Sequence, residues 1–149
     1  MKNKQTLLKE FRELYDYIAS IEKMELYKWE LPLAKGEWTV KEAFAHIMRW
    51  DERYFKNGVE RICRGQFPTI GEIDFELYNA KSRSYGSKST NHRILNYTMY
   101  YRRELLVHLE TIPEEDFSKS FNGFVLNEYL EDFIGHDRHH LEKIKKVIG

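Results

Sequence analysis

Glu37 to Tyr54, EWTVKEAFAHIMRWDERY, reads as the start and body of one long helix. Thr39 and Glu42 have the spacing of a capping box, in which the threonine hydroxyl accepts from the Glu42 amide and the Glu42 carboxylate reaches back. Behind that cap Val40, Ala43, Phe44, Ile47 and Tyr54 recur at helical intervals and share one apolar face. Asn57-Gly58 is expected to weaken this helix, and Gly65-Gln66-Phe67-Pro68 to finish it.

The same periodicity extends to both sides. From Lys4 to Lys23, the residues Leu7, Leu8, Phe11, Leu14, Tyr15, Ile18 and Ile21 form one stripe, followed by a loop through Pro32 and Gly36. A short helix is expected over Ile73–Ser82. Thr90–Thr111 carries Ile94, Leu95, Thr98, Tyr101, Leu105 and Leu109 on one side, and Pro113 turns the chain. The last helix spans Leu126–Val147. Strand alternation nowhere lasts more than a few residues. The expectation is an all-α single domain over residues 1–149, a four-helix bundle with a long connection (Gly65–Ser89) between its second and third helices.

Composition narrows the partners. Lys plus Arg and Asp plus Glu are equal at 24 each, so the formal charge is zero. A nucleic-acid or anionic-membrane partner demands a basic excess, and neither is expected. One cysteine, Cys63, excludes an internal disulfide and fits a reducing compartment. With no apolar signal core and no uncharged membrane-length run, a cytoplasmic protein is expected.

The chemistry-bearing residues concentrate in two places. GHDRHH, Gly135 to His140, resolves on a helix into two kinds of position. His136 and His140 lie one turn apart on the edge of the apolar face, while His139 falls with Asp132 and Lys143 on the solvated side. An i,i+4 pair of imidazoles can grip one ion, or can decorate a polar edge. The adjacent glutamate of a zinc protease is missing. His46, in line with Ala43 and Trp50, sits on a similar seam and supplies a third imidazole. Three neutral imidazoles suit Zn, Ni, Fe or Cu and leave positions open for water or substrate. Asp51 and Asp137 fall on apolar sides, where a lone carboxylate is costly. Each is a candidate to orient a ligand histidine, to act as a base, or to join an internal salt bridge with Arg49, Arg53 or Arg102. Arg102 and Arg103 can alternatively hold a substrate carboxylate, or pair with Glu104 and solvent.

EWTVKEAFAHIMRWDERY followed by HDRHHLEKI resembles the DinB/YfiT-like superfamily of metal-binding four-helix bundles. The likeness implies His46, His136 and His140 as ligands of one divalent ion (Zn, Ni, Fe, Mn or Cu). KNKQTLLKEFRELYDYI and the stretches GVERICRGQFP, FELYNAKSRSY and ETIPEEDF are similar also to the ClbS/DfsB-like sister group, some of whose members act on reactive small molecules and need not keep the three histidines. From the first resemblance follow two activities: transfer of a low-molecular-weight thiol co-substrate, such as bacillithiol or mycothiol, or metal-dependent hydrolysis. Both use an ion that lowers the pKa of a bound thiol or water.

A crevice near Trp50, Tyr54 and Tyr129 would give a small-molecule substrate apolar walls. Tyr97, Tyr100 and Tyr101 are candidates to donate a hydrogen bond to it, with core packing as their alternative. His92, His108 and Cys63 are expected to be structural or surface residues. Two further readings stand beside the enzyme: a metal-independent binding or self-protection module, and a structural homodimer. A homodimer is compatible with all three.

Overall fold

The computed structural model describes residues 2–149, whose regular structure is helical apart from one tiny hairpin. Helices α1 (Lys4–Phe11) and α2 (Glu13–Ser20) make up the expected first segment. Their division at Arg12 is slight, because its amide still donates to the Leu8 carbonyl and its carbonyl accepts from Asp16. Asn3 caps α1 through the Thr6 amide at 2.9 Å. Leu7, Leu8, Phe11, Leu14 and Ile18 are all buried, as the stripe predicts.

The stretch expected as a loop contains a single helical turn, α3 (Leu26–Trp29), which buries Trp29 against Phe44 at 5.6 Å between ring centroids. Leu31 and Val40, and Leu33 and Trp38, then close the connection by backbone hydrogen bonds. Helix α4 (Val40–Tyr54) begins with both halves of the capping box present. At Phe55–Val59 the helix widens into a π-helical turn, then resumes as α5 (Glu60–Cys63). The wide turn coincides with Asn57-Gly58. A Cβ on Gly58 would stand 2.8 Å from Ile70 and 3.2 Å from Phe124, so the glycine gives those side chains their seat.

The connection after Cys63 holds more structure than expected. Helix α6 runs over Phe75–Lys88, capped by Asp74, and lies along α4. The two backbones approach closely: a Cβ on Gly86 would come within 2.7 Å of the Ala45 methyl and 3.1 Å of the Glu42 Cα. Helix α7 (Asn91–Thr111), capped by Thr90, packs on the other side of α4 and on α2. Two-residue strands β1 (Ser120–Phe121) and β2 (Phe124–Val125) pair through the left-handed turn Asn122-Gly123. Helix α8 (Leu126–Ile148) closes the chain against α1, α2 and α4. Its buried apolar residues are Leu126, Leu130, Ile134, Leu141, Ile144 and Ile148. No helix among the described residues is long and apolar enough to cross a membrane.

One polar cluster lies within this apolar packing. Arg102 of α7 is fully buried, its Nε and Nη2 donating to the two Asp51 oxygens at 2.8 and 3.0 Å. Its Nη1 and Nη2 reach Asp137 of α8 at 2.7 and 3.2 Å. Nη1 also donates to the Phe11 carbonyl at 2.9 Å, and the guanidinium lies 3.9 Å over the Phe11 ring. One side chain thereby joins α1, α4, α7 and α8.

Candidate functional site

Between α4 and α8 lies a crevice of about 660 Å³. The helices run antiparallel here, for His46 meets His140 while Tyr54, two turns later on α4, meets Tyr129 and Phe133. The opening of α6 and the segment before it complete the walls with Phe75, Asn79, Ile70 and Ile73.

The three predicted imidazoles all border this crevice. The His46 and His140 rings stand edge to face, 4.9 Å between centroids. Both are half-buried, whereas His136 is exposed. Burial holds His46 and His140 at about pKa 4, and the imidazoles around them, His136 included, push the same way. Both rings are therefore neutral at neutral pH, the form in which a histidine lends a nitrogen to an ion. The Nδ1 of His46 is buried and has no hydrogen-bond partner among the described residues. No three His, Cys, Asp or Glu side chains among those residues enclose a common point as they stand. The donor types suit an ion.

Trp50, Tyr54 and Tyr129 line the crevice as expected. Trp50 stacks on Phe75 and donates through its indole nitrogen to Asn79 at 3.0 Å. Tyr54 lies against Tyr129, nearly parallel at 8° and 5.6 Å, and against Phe133 at 4.8 Å. Tyr101 is elsewhere. It packs between Tyr97 and Tyr100 under Lys56 and is not among the residues that border the crevice. Tyr101 is buried like Arg102 beside it, but on a side of α7 that meets Glu52 and Lys56.

Asp51 and Asp137 are engaged with Arg102, the salt-bridge alternative of the sequence reading. Burial raises the Asp51 carboxyl to about 6 against the pull of Arg102. For the guanidinium, burial opposes the charge, but the two carboxylates outweigh it and keep Arg102 protonated. Arg102 is thus neither a surface group nor free to clasp a substrate carboxylate. Of the remaining candidates, Arg103 and His92 are exposed, and His108 packs edge-on against Phe55. Burial pushes the Cys63 thiol up, against the use of that residue as a nucleophile.

Trp38, Asn79, Phe75 and Phe133 are crevice residues that sequence reasoning missed. Asn79 carried a usable signal, because an asparagine inside a helix competes with its own backbone and usually has a partner of its own. Here it serves Trp50 and also reaches the His46 ring. Trp38 meets His46 at 4.8 Å from just ahead of the helix cap, a contact that periodicity within α4 does not reveal. No family model matches the chain, and no curated protein or solved structure matches it either.

Proposed function

We propose that the chain is a DinB/YfiT-like four-helix bundle, with α1–α2, α4, α7 and α8 as its helices. His46, His136 and His140 would hold one divalent ion at the α4–α8 seam, and the crevice would take a small molecule for thiol transfer or hydrolysis. The observation that carries this reading is the approach of His46 and His140 from helices distant in sequence, two neutral rings 4.9 Å apart at the end of an aromatic-walled crevice. An ion bound there would supply Lewis acidity, making a thiol or water nucleophilic near neutral pH. The chain's own contributions are simpler to state. Trp38 and Asn79 fix the His46 ring, Trp50 and Phe75 exclude water from one wall, and Tyr129 and Phe133 do so from the other. Asp51 and Asp137 act as structural charges rather than as bases, since Arg102 occupies both.

Elemental analysis of untagged protein incubated with Zn, Ni, Fe, Mn or Cu salts tests the metal. About one ion per chain is expected, lost in His46→Ala and in His140→Ala. Protein that stays metal-free with every salt overturns the reading. A metal-independent binding module is the second reading, favoured by the open placement of His136. Its mark is ligand-induced thermal stabilisation that survives chelation.

A further inference from the structure

The end of the crevice away from the histidines holds a group that the metal chemistry leaves unused. Tyr54 is 1% exposed, and its hydroxyl oxygen is buried with no hydrogen-bond partner among the described residues. Buried hydroxyls are nearly always paired, because an unpaired one has given up water and gained nothing. Core packing does not require this one. The ring is held by Tyr129, Phe133 and Phe124, and a phenylalanine would make the same stacking contacts. Nor does the neighbouring carboxylate use it. Asp51 lies three residues earlier on α4, and both its oxygens are turned to Arg102 at 2.8 and 3.0 Å.

We propose that the Tyr54 hydroxyl is a fixed hydrogen-bond donor that recognises a neutral acceptor oxygen, of the carbonyl, ester or amide kind, on a flat apolar molecule seated in the crevice. The stacked rings hold the phenol so that little freedom is lost on binding. Burial, with Tyr129 and Asp51 adding to it, lifts the phenol far above its ordinary range, so it keeps its proton. An anionic acceptor is disfavoured, because Asp51 and Asp137 outnumber Arg102 by one charge at that end. Tyr54 and His46 are eight residues apart on one helix, about 12 Å along its axis. A ligand held at Tyr54 therefore reaches the imidazoles with its far end. Tyr54 is a binding and positioning residue, not one that touches the reacting atoms. The proposal rests on the small-molecule reading of the crevice, but not on the ion.

Two probes of nearly equal shape separate the donor from the apolar walls: 2-acetylnaphthalene, which has a carbonyl, and 2-isopropenylnaphthalene, which has a C=CH2 group in its place. Their affinities are measured by equilibrium dialysis against the full chain and Tyr54→Phe, with and without EDTA. The expected result is a five- to tenfold fall, roughly one hydrogen bond, in the ketone-to-hydrocarbon affinity ratio of Tyr54→Phe. Hydrocarbon binding should be unchanged, and EDTA should have no effect on the ratio. The variant should also melt at or above the temperature of the natural chain, since it loses only an unpaired group. A ratio that does not move, or a variant that melts several degrees lower or fails to fold, overturns the proposal. If neither probe binds the natural chain, the small-molecule reading of the crevice falls with it. Metal loading, read separately, is untouched by any of these outcomes.

Discussion

Burial among other imidazoles keeps His46 and His140 neutral down to about pH 4, while in the unfolded chain each takes up its proton near pH 6.5. Between those values the unfolded state binds more protons, so the stability present above pH 6.5 is lost as the pH falls towards 4. Thermal melts of EDTA-treated protein should show a falling melting temperature from pH 6.5 to 5, a window in which Asp51, held at about 6, opposes the two histidines but is outnumbered by them. The slope should flatten when both histidines are changed to glutamine, and a pH-independent midpoint there would refute the assignment. At this scale the sequence was informative where a side chain's place follows from its own helix. The seam positions of His46, His136 and His140, and the outward turn of His139, follow from 100° steps alone. Arg102 was harder, because it is buried beside the apolar stripe that holds Tyr101, and a cation turns inward only where it meets a partner. Two carboxylates from other helices supply that partner, and nothing in the local pattern near residue 102 announces them.

Gly86 and Ala45 let α6 and α4 lie nearly backbone to backbone. Alanine at position 86 would gain about 1 kcal/mol of helix propensity if space allowed. Instead its methyl meets Ala45 and the Glu42 backbone, and the overpacking should cost about 1–3 kcal/mol. Gly86→Ala is therefore expected to lower the urea midpoint, and Ala45→Gly added to it to recover part of the loss. A midpoint at or above that of the natural chain would show that α6 yields freely. Because α6 carries Phe75 and Asn79, the same change should loosen the Trp50 wall. This crossing also explains why only part of α6 was legible. Its contact face is made by small residues, Ser82 and Gly86 among them, so the apolar stripe that marks the other helices is faint. The capping box of α4 and the apolar stripes of α4 and α7 left no such ambiguity. The hairpin was readable in principle from Asn122-Gly123, a turn pair favoured by its left-handed backbone, but its two-residue strands are too short to alternate visibly.

Arg102 acts on the molecule as a whole, since its partners come from three other helices. Removing the cation alone leaves Asp51 and Asp137 facing each other without water. Arg102→Met is expected to cost about 3–5 kcal/mol in chemical denaturation. Changing Asp51 and Asp137 to leucine in the same chain should recover most of that loss, because an apolar core of similar volume needs no counter-charge. A small effect of the single change would mean that water reaches the cluster. The all-α class and the order of the long helices were legible from periodicity and caps, but this cross-tie is long-range and could only be read as one of several pairings.

The cross-tie has an evolutionary consequence. Arg102 is tolerable only beside a carboxylate, and the carboxylates only beside Arg102, so removing the whole cluster one residue at a time passes through a chain with a stranded charge. Descendants that exchange this cluster for hydrocarbon must cross that valley by compensated, near-simultaneous change. Drift should therefore be free on the helix exteriors and slowest at Arg102, which both carboxylates need, even in lineages where the residues lining the crevice have changed.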